Sequence, residues 1–201
     1  MALVTTHIPL KDVSAAVSKD KIIAKAEVFN QSLQKDFGIP CPKIAILSLN
    51  PHSGENGKIG KEEIETQVPA INELRGKNIL AFGPFPTDGF FGSSAPENYD
   101  GVLAMYHDQG LSVFKALCFD EGVNYTAGLP IVRTSPDHGT AFDIAGKNKA
   151  SETSMRNAIY EAADIFQNRI IHKEAHANPL PVKKRQSEDK WRSKSRDSKK
   201  N

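Results

Sequence analysis

Three histidines occupy comparable places along the chain: His7, His52 and His107 each follow closely on a short apolar segment. Neutral imidazoles are good ligands for Zn²⁺ and acceptable ones for other divalent ions, and three of them leave a coordination position for a substrate oxygen. None of the three has the close HxxxH spacing of a helix-borne metal pair, so by spacing alone isolated loop or core histidines are the commoner reading. Acids and cations lie nearby. Asp108 follows His107 at once, and Asp88 sits in the preceding Pro/Gly-rich loop. An acid beside a metal-bound hydroxyl is what a proton-transfer step requires, although an N-cap for Asp108 and a turn role for Asp88 explain them equally simply. Lys115, Asn124 and Arg133 supply a cation, an amide and a guanidinium suited to a carboxylate or phosphate. Each alone reads as an ordinary surface or strand-end residue.

These residues need elements to position them. Residues 2–6 read as a strand, and residues 43–49 as a strand with too little alternation for one wet face, hence central in a parallel sheet. Residues 78–82 and 101–106 are further strands, and 123–127 and 130–134 flank a Gly128-Leu129-Pro130 turn. Apolar spacing predicts one long helix from residue 12 or 14 to 37, a second over 61–74, one or two turns over 110–117, and a last helix over 151–171. That last helix has Ser151 as N-cap and Met155, Ala158, Ala162, Ile165 and Phe166 on one face. Strands alternating with helices argue for an α/β fold. In open α/β sheets ligands bind beyond the carboxyl ends of strands, where the three histidines would converge.

Composition narrows the rest. The 201 residues, 39% hydrophobic with 26 Lys+Arg against 24 Asp+Glu, are ordinary for a globular protein. No apolar run approaches a membrane span, and the N-terminus lacks the charged-then-apolar order of a signal peptide. Two cysteines, Cys41 and Cys118, fit a reducing cytoplasm. Residues 183–201 hold nine basic residues against three acidic ones, which leaves the rest of the chain mildly acidic. The Pro-, Lys- and Ser-rich composition of residues 177–201 predicts a disordered basic tail, apart from a body over 1–176. Trp191 is the tail's single aromatic, so stacking on nucleic acid is poor and a solvated tail is expected. There is no GxGxxG, no P-loop ending after Gly54, Gly57 and Gly60, no Gly-x-Ser-x-Gly elbow and no CxxC pair.

Four segments taken together carry a resemblance. Leu49-Asn50-Pro51-His52-Ser53-Gly54-Glu55-Asn56-Gly57, Met105-Tyr106-His107-Asp108-Gln109-Gly110, Gly128-Leu129-Pro130-Ile131-Val132-Arg133-Thr134-Ser135 and Asp137-His138-Gly139-Thr140-Ala141-Phe142-Asp143 closely resemble the 4-hydroxythreonine-4-phosphate dehydrogenase family of pyridoxal phosphate biosynthesis, over about residues 2–172. The resemblance implies an isocitrate/isopropylmalate dehydrogenase-like α/β/α fold with a largely parallel sheet and a non-Rossmann NAD site. It implies a homodimer with the active site at its interface, and a further N-terminal part of the family fold beyond what this sequence holds. It makes His7, His52 and His107 ligands of one divalent ion (Zn²⁺, alternatively Mg²⁺ or Co²⁺). Lys115, Asn124 and Arg133 match substrate-binding positions, and Asp88, Asp108 and Lys115 catalytic ones. His138, Gly139, Thr140 and Asp143 match the loop beside the adenosine of NAD. The implied reaction is oxidation and decarboxylation of 4-phosphooxy-L-threonine to 3-amino-2-oxopropyl phosphate. A threonate or erythronate 4-phosphate dehydrogenase, or an inactive dimerising fragment, is the alternative.

Overall fold

Ile44, Ala45, Ile46 and Leu47 have no solvent-accessible surface at all, which puts both faces of one strand inside the molecule. The computed structural model describes residues 1–118, 121–137, 139 and 142–180. That strand is β2 (Lys43–Leu47), and with β1 (Ala2–Leu3), β3 (Leu80–Phe85) and β4 (Gly101–Ala104) it forms a four-stranded, wholly parallel sheet in the order β1-β4-β2-β3. β2 therefore lies between β4 and β3, as its unbroken apolar run predicts. Its side chains divide by the two-residue period of a strand. Ile44 and Ile46 join Leu103 and Met105 in one core layer, while Ala45 and Leu47 join Ala104 in the other.

The first layer is roofed by α2 (Lys19–Lys35) through Ile22, Ile23, Ala26 and Leu33, and by α3 (Val68–Gly76) through Ala70, Ile71 and Leu74. The expected single helix from residue 12 or 14 to 37 is interrupted. A 3₁₀ turn (Leu10–Asp12) and the short α1 (Val13–Ala16) precede an extended Ser18, whose hydroxyl accepts from the Lys21 N–H and starts α2 afresh. Apolar periodicity continues across the break because Val13 and Val17 are buried too. The helix predicted over 61–74 begins as one π-helical turn (Glu63–Gln67) before α3.

The opposite face is covered by α4 (Thr87–Phe91) and by α5 (His107–Cys118), which is longer than the one or two turns predicted and begins at His107 itself. Gly110 allows α5 to sit close to the sheet: a Cβ there would lie 2.7 Å from the Leu3 side chain and 3.1 Å from that of Ala104.

Beyond the sheet, β5 (Val123–Tyr125) and β6 (Thr134–Pro136) form an antiparallel hairpin whose second strand starts later than the predicted 130–134. The hairpin packs on α6 (Thr153–Ala175), with the Thr134 hydroxyl donating to the Ala158 carbonyl at 2.8 Å and Ser154 to that of Gly122 at 2.9 Å. Glu152, not Ser151, is the N-cap of α6, although the Ser151 hydroxyl accepts from the Thr153 N–H. Ala158 and Ile165 face inward as predicted, but Met155 and Phe166 are more than half exposed, because the inward stripe runs through Ser154, Ala158, Ile165 and Arg169. Among the described residues no helix is long and apolar enough to cross a membrane. The predicted disordered tail lies outside the described residues from position 181 onward.

One ion pair ties hairpin and α6 to the sheet. Asp36, the C-cap of α2, is 3% exposed. Its carboxylate accepts from Arg169 Nε at 2.7 Å, from Ser32 Oγ at 2.8 Å and from the Tyr125 hydroxyl. Its carbonyl accepts from Asn168 Nδ2, and Arg169 also donates to the Pro130 carbonyl. Burial pushes the Asp36 carboxyl up, but the hydrogen bonds from Arg169, Tyr125 and Ser32 and the guanidinium charge outweigh it, holding the group below the usual aspartate range. The stability linked to this group is fully present above the unfolded-chain value of about 3.9 and is lost as pH falls through the folded value. Replacing Arg169 with Ala leaves a buried carboxylate unpaired, which costs about 3–5 kcal/mol in urea unfolding at neutral pH. In Asp36→Asn, thermal unfolding followed below about pH 4 lacks the acid-induced decline that this carboxyl contributes to the parent protein.

Candidate functional site

Parallel strands that stop inside a protein leave backbone N–H and C=O groups that must find other partners. At the carboxyl edge of this sheet buried side chains supply them. Gln109, in the first turn of α5, accepts from the Met105 N–H at 2.7 Å and donates to the Ser48 carbonyl at 2.6 Å and the Thr87 hydroxyl at 2.8 Å. Thr5 donates to the Met105 carbonyl at 2.7 Å. Gln67 donates to the Leu47 carbonyl at 2.9 Å and accepts from the Leu49 N–H at 3.2 Å. Glu63, one helical turn earlier, accepts from the Asn50 N–H at 2.7 Å. All four are at least nine-tenths buried, and among the described residues no buried side-chain polar atom lacks a partner.

The histidines stand on this frame. His7 lies two residues beyond Thr5 and His107 two beyond Met105, and the structure brings their rings to 5.9 Å between centroids at 45°. His107 Nδ1 lies 2.7 Å from Asp108 Oδ1. With Nδ1 donating to that carboxylate, Nε2 is the nitrogen left to bind a cation. His52 follows β2 on the same edge, at the start of an unusual turn. His52, Ser53, Gly54, Glu55 and Asn56 all have positive φ, between 44° and 72°. The left-handed conformation costs a non-glycine residue roughly 1–2 kcal/mol, so such a run persists only where its surroundings over-determine it.

Two exposed imidazoles match the nitrogen donors that Zn²⁺ takes. Among the described residues, however, no three His, Cys, Asp or Glu side chains gather as a metal site within one chain, so His52 does not join the other two there. Asp88 lies in the first turn of α4, exposed and next to Thr87, which Gln109 holds. Asn124 pairs with Ser135 in the hairpin and Thr126 follows opposite Arg133, so strand alternation puts Asn124 and Arg133 on one face, away from Tyr125 and Thr134 on α6. Arg133 donates to the Thr126 hydroxyl at 2.8 Å. Lys115 projects from the last turn of α5, its ammonium 4.0 Å from Asp137 Oδ2. Gly139 and Asp143 are exposed, Asp143 in a single 3₁₀ turn, whereas His138 and Thr140 lie outside the described residues.

Sequence reasoning assigned no role to Glu63, Gln67 and Gln109. A signal for the first two was present: polar residues 63 and 67 continue the core-facing stripe of Ala70, Ile71 and Leu74 at helical spacing.

Comparison with known proteins agrees with this architecture. The sequence pattern of pyridoxal phosphate biosynthetic protein PdxA matches residues 1–162. A 4-hydroxythreonine-4-phosphate dehydrogenase of Bacteroides thetaiotaomicron is 56% identical over 180 residues, covering 90% of this chain and 50% of that protein. One from Marinobacter nauticus is 50% identical over 84% of this chain and 50% of its own length. The chain thus spans about half the length of the curated relatives it matches. The crystal structure of the Klebsiella pneumoniae 4-hydroxythreonine-4-phosphate dehydrogenase superposes with a TM-score of 0.71 at 45% identity, covering 81% of this chain and 50% of that one. A terephthalate 1,2-cis-dihydrodiol dehydrogenase of Burkholderia xenovorans gives 0.64 at 28%, over 81% of this chain and 51% of that one. The parallel sheet and these neighbours put the fold in the isocitrate/isopropylmalate dehydrogenase-like class. With that pattern running from residue 1 to 162, the chain belongs to the family of pyridoxal phosphate biosynthetic protein PdxA.

Proposed function

We propose that this chain carries the metal-bearing part of an NAD-dependent dehydrogenase that oxidises and decarboxylates 4-phosphooxy-L-threonine, working as a homodimer in the cytoplasm. The observation that carries the reading is the pairing of His7 and His107 on the carboxyl edge, with His52 on the same edge but outside their group. An arrangement of two ligands from one protomer and His52 from its partner reconciles these facts, with Zn²⁺, Mg²⁺ or Co²⁺ as the candidate ion.

When bound, the cation supplies polarisation of the substrate C3 hydroxyl and the nicotinamide supplies a hydride acceptor. The protein's own groups do the remainder. Asp108 orients the His107 ring through Nδ1. Its carboxylate, with Lys115 as the alternative, takes the C3 hydroxyl proton, and Asp88 stands at the same edge as a second acid. Asn124 and Arg133, sharing the outer face of the hairpin, hold the substrate's anionic groups. The 3-keto acid so formed loses CO₂, the electrons of the C2–carboxyl bond passing toward the ketone. Gly139, Asp143, His138 and Thr140 are the residues assigned to the adenosine of NAD. No membrane or nucleic-acid partner enters this reading.

Calorimetric titration with Zn²⁺ tests the site. The wild-type chain takes up close to one ion per chain, and His52→Ala and His107→Ala each abolish that uptake. Mixing the two variants restores about a quarter of the wild-type capacity, because half of the dimers are then mixed and each mixed dimer holds one complete set of ligands. Failure of the mixture to bind would place all three ligands in one chain or disprove the site. In the zinc-loaded protein, Arg133→Ala weakens binding of 4-phosphooxy-L-threonine about 10- to 100-fold, the worth of a charge-assisted hydrogen bond. Comparing NAD reduction with 4-phosphooxy-L-threonine and with threonate and erythronate 4-phosphates decides the substrate, and no turnover on any of them identifies a non-catalytic module.

A further inference from the structure

His52 is the one candidate ligand whose backbone is held in the left-handed region, and the residues on either side of it converge on a single carboxylate. Before it, the Asn50 N–H donates to Glu63 Oε1 at 2.7 Å and Asn50 Nδ2 donates to Glu63 Oε2 at 3.0 Å. After it, Gly54 is buried so closely over the same group that a Cβ there would lie 2.6 Å from Glu63 Oε2 and 2.7 Å from the Gly60 carbonyl. Asn50 is secured further by its carbonyl, which accepts from Ser48 Oγ at 2.8 Å, and by Glu62 Oε2, which accepts from Asn50 Nδ2 at 2.8 Å. Glu62 is itself held below the usual carboxylate range by the Ser14 hydroxyl first, then by backbone N–H groups and Asn50. At the far side Ser53 Oγ donates to the Pro84 carbonyl at 3.1 Å, and the Ile59 N–H to the Gly54 carbonyl at 3.1 Å. Glu63 is 2% exposed and stands on the π-helical turn that leads into α3, so its own position is fixed by the core layer beneath.

We infer that Glu63 is a positioning residue for the metal site: its buried carboxylate clamps the chain at Asn50 and at Gly54 and so sets the direction in which His52 leaves the sheet edge. Pro51 restricts the remaining rotation between clamp and histidine. The clamp explains why the strained turn holds a single shape, and why a carboxylate, with two acceptor atoms, stands where the core stripe of the helix would otherwise take an apolar side chain. This inference rests on the reading of His52 as a metal ligand, and the experiment separates the two.

The full chain is compared as wild type, Glu63→Ala, Glu63→Gln, Gly54→Ala and His52→Ala, with Co²⁺ as the metal probe. Co²⁺ affinity and the visible absorption of its bound form report the site. Amide hydrogen exchange reports the turn at Asn50 and Ile59 and the sheet at Val102 and Leu103, and the His52 ring resonances report its orientation without metal. Glu63→Ala should lower Co²⁺ affinity about 10- to 100-fold, the usual effect of losing a group that orients a ligand. It should release the Asn50 and Ile59 amides and shift the His52 ring signals, with the sheet amides unchanged. Glu63→Gln keeps an oxygen facing the Asn50 N–H and should recover most of the affinity, while Gly54→Ala should reproduce the loss with Glu63 intact. Unchanged turn amides and His52 signals in Glu63→Ala would overturn the proposal. So would a loss of affinity matched by equal loss of protection in the sheet, which would mark Glu63 as structural only. If wild type and His52→Ala bind Co²⁺ alike, the metal reading of His52 fails, and the exchange and ring signals still decide whether Glu63 orients that residue.

Discussion

Backbone polar groups at the end of a parallel strand have lost their ladder partners and, inside a protein, have no water to replace them. The structure depends on how that deficit is met at residues 47–50 and at Met105. Gln67, Glu63, Gln109 and Thr5 meet it from elements that approach the edge from different directions, so strand ends, the π-helical turn and α5 are locked to one another by the same hydrogen bonds. Buried and fully paired, such a network is rigid, and a rigid edge is what a set of ligands on separate strands requires. His7 and His107 lie two residues beyond Thr5 and Met105, which are joined by the Thr5 N–H and hydroxyl both donating to the Met105 carbonyl, and their rings meet accordingly.

The second constraint is the Asp36–Arg169 pair. It joins α2 to α6 and, with the edge-on contact of the Phe37 and Tyr125 rings, helps fix the face carrying Asn124 and Arg133 relative to the sheet. Tyr125 makes the connection direct, since its ring side lies on the hairpin face opposite Asn124 and its hydroxyl meets both Asp36 and Arg169. Burial and hydrogen bonding press the Tyr125 hydroxyl upward in pKa, so it remains a neutral donor to the Asp36 carboxylate across the physiological range. Two parts of the candidate site are thus joined by electrostatics rather than by a shared apolar core, which suits a seam between a sheet and an appended hairpin.

Much of the fold was legible because parallel strands buried on both faces leave a plain mark. The run from Ile44 to Leu47 has no other sensible place than the middle of a sheet, and it is there. α6 shows where periodicity stops informing. Its sequence carries two apolar stripes, and the one containing Met155 and Phe166 is the more hydrophobic. The inward side is instead decided by Arg169, which must reach Asp36 across a separation of 133 residues, a pairing that no local pattern encodes. The break at Ser18 was hidden for a related reason: Val13 and Val17 keep the helical rhythm although the backbone between them and Ile22 does not stay helical. For the candidate site, residue types and order pointed to the carboxyl edge, and His7 with His107 meets there. The separate place of His52 was not legible, because a run of left-handed residues at non-glycine positions has no sequence signature beyond Gly54 and Gly57.

That turn also bears on the division proposed for the site. A histidine on a relaxed loop after β2 would sample many orientations. The left-handed run denies it that freedom, and the strain is tolerable only because the root of the turn is held on a frame the sheet already needs. The same hydrogen bonds that complete the strand ends at Leu49 and Asn50 therefore hold the root of the turn that carries His52. In the reading advanced above, an isolated chain then binds metal weakly and a pair of chains binds it well, so that catalytic competence is coupled to assembly through the geometry of a single turn.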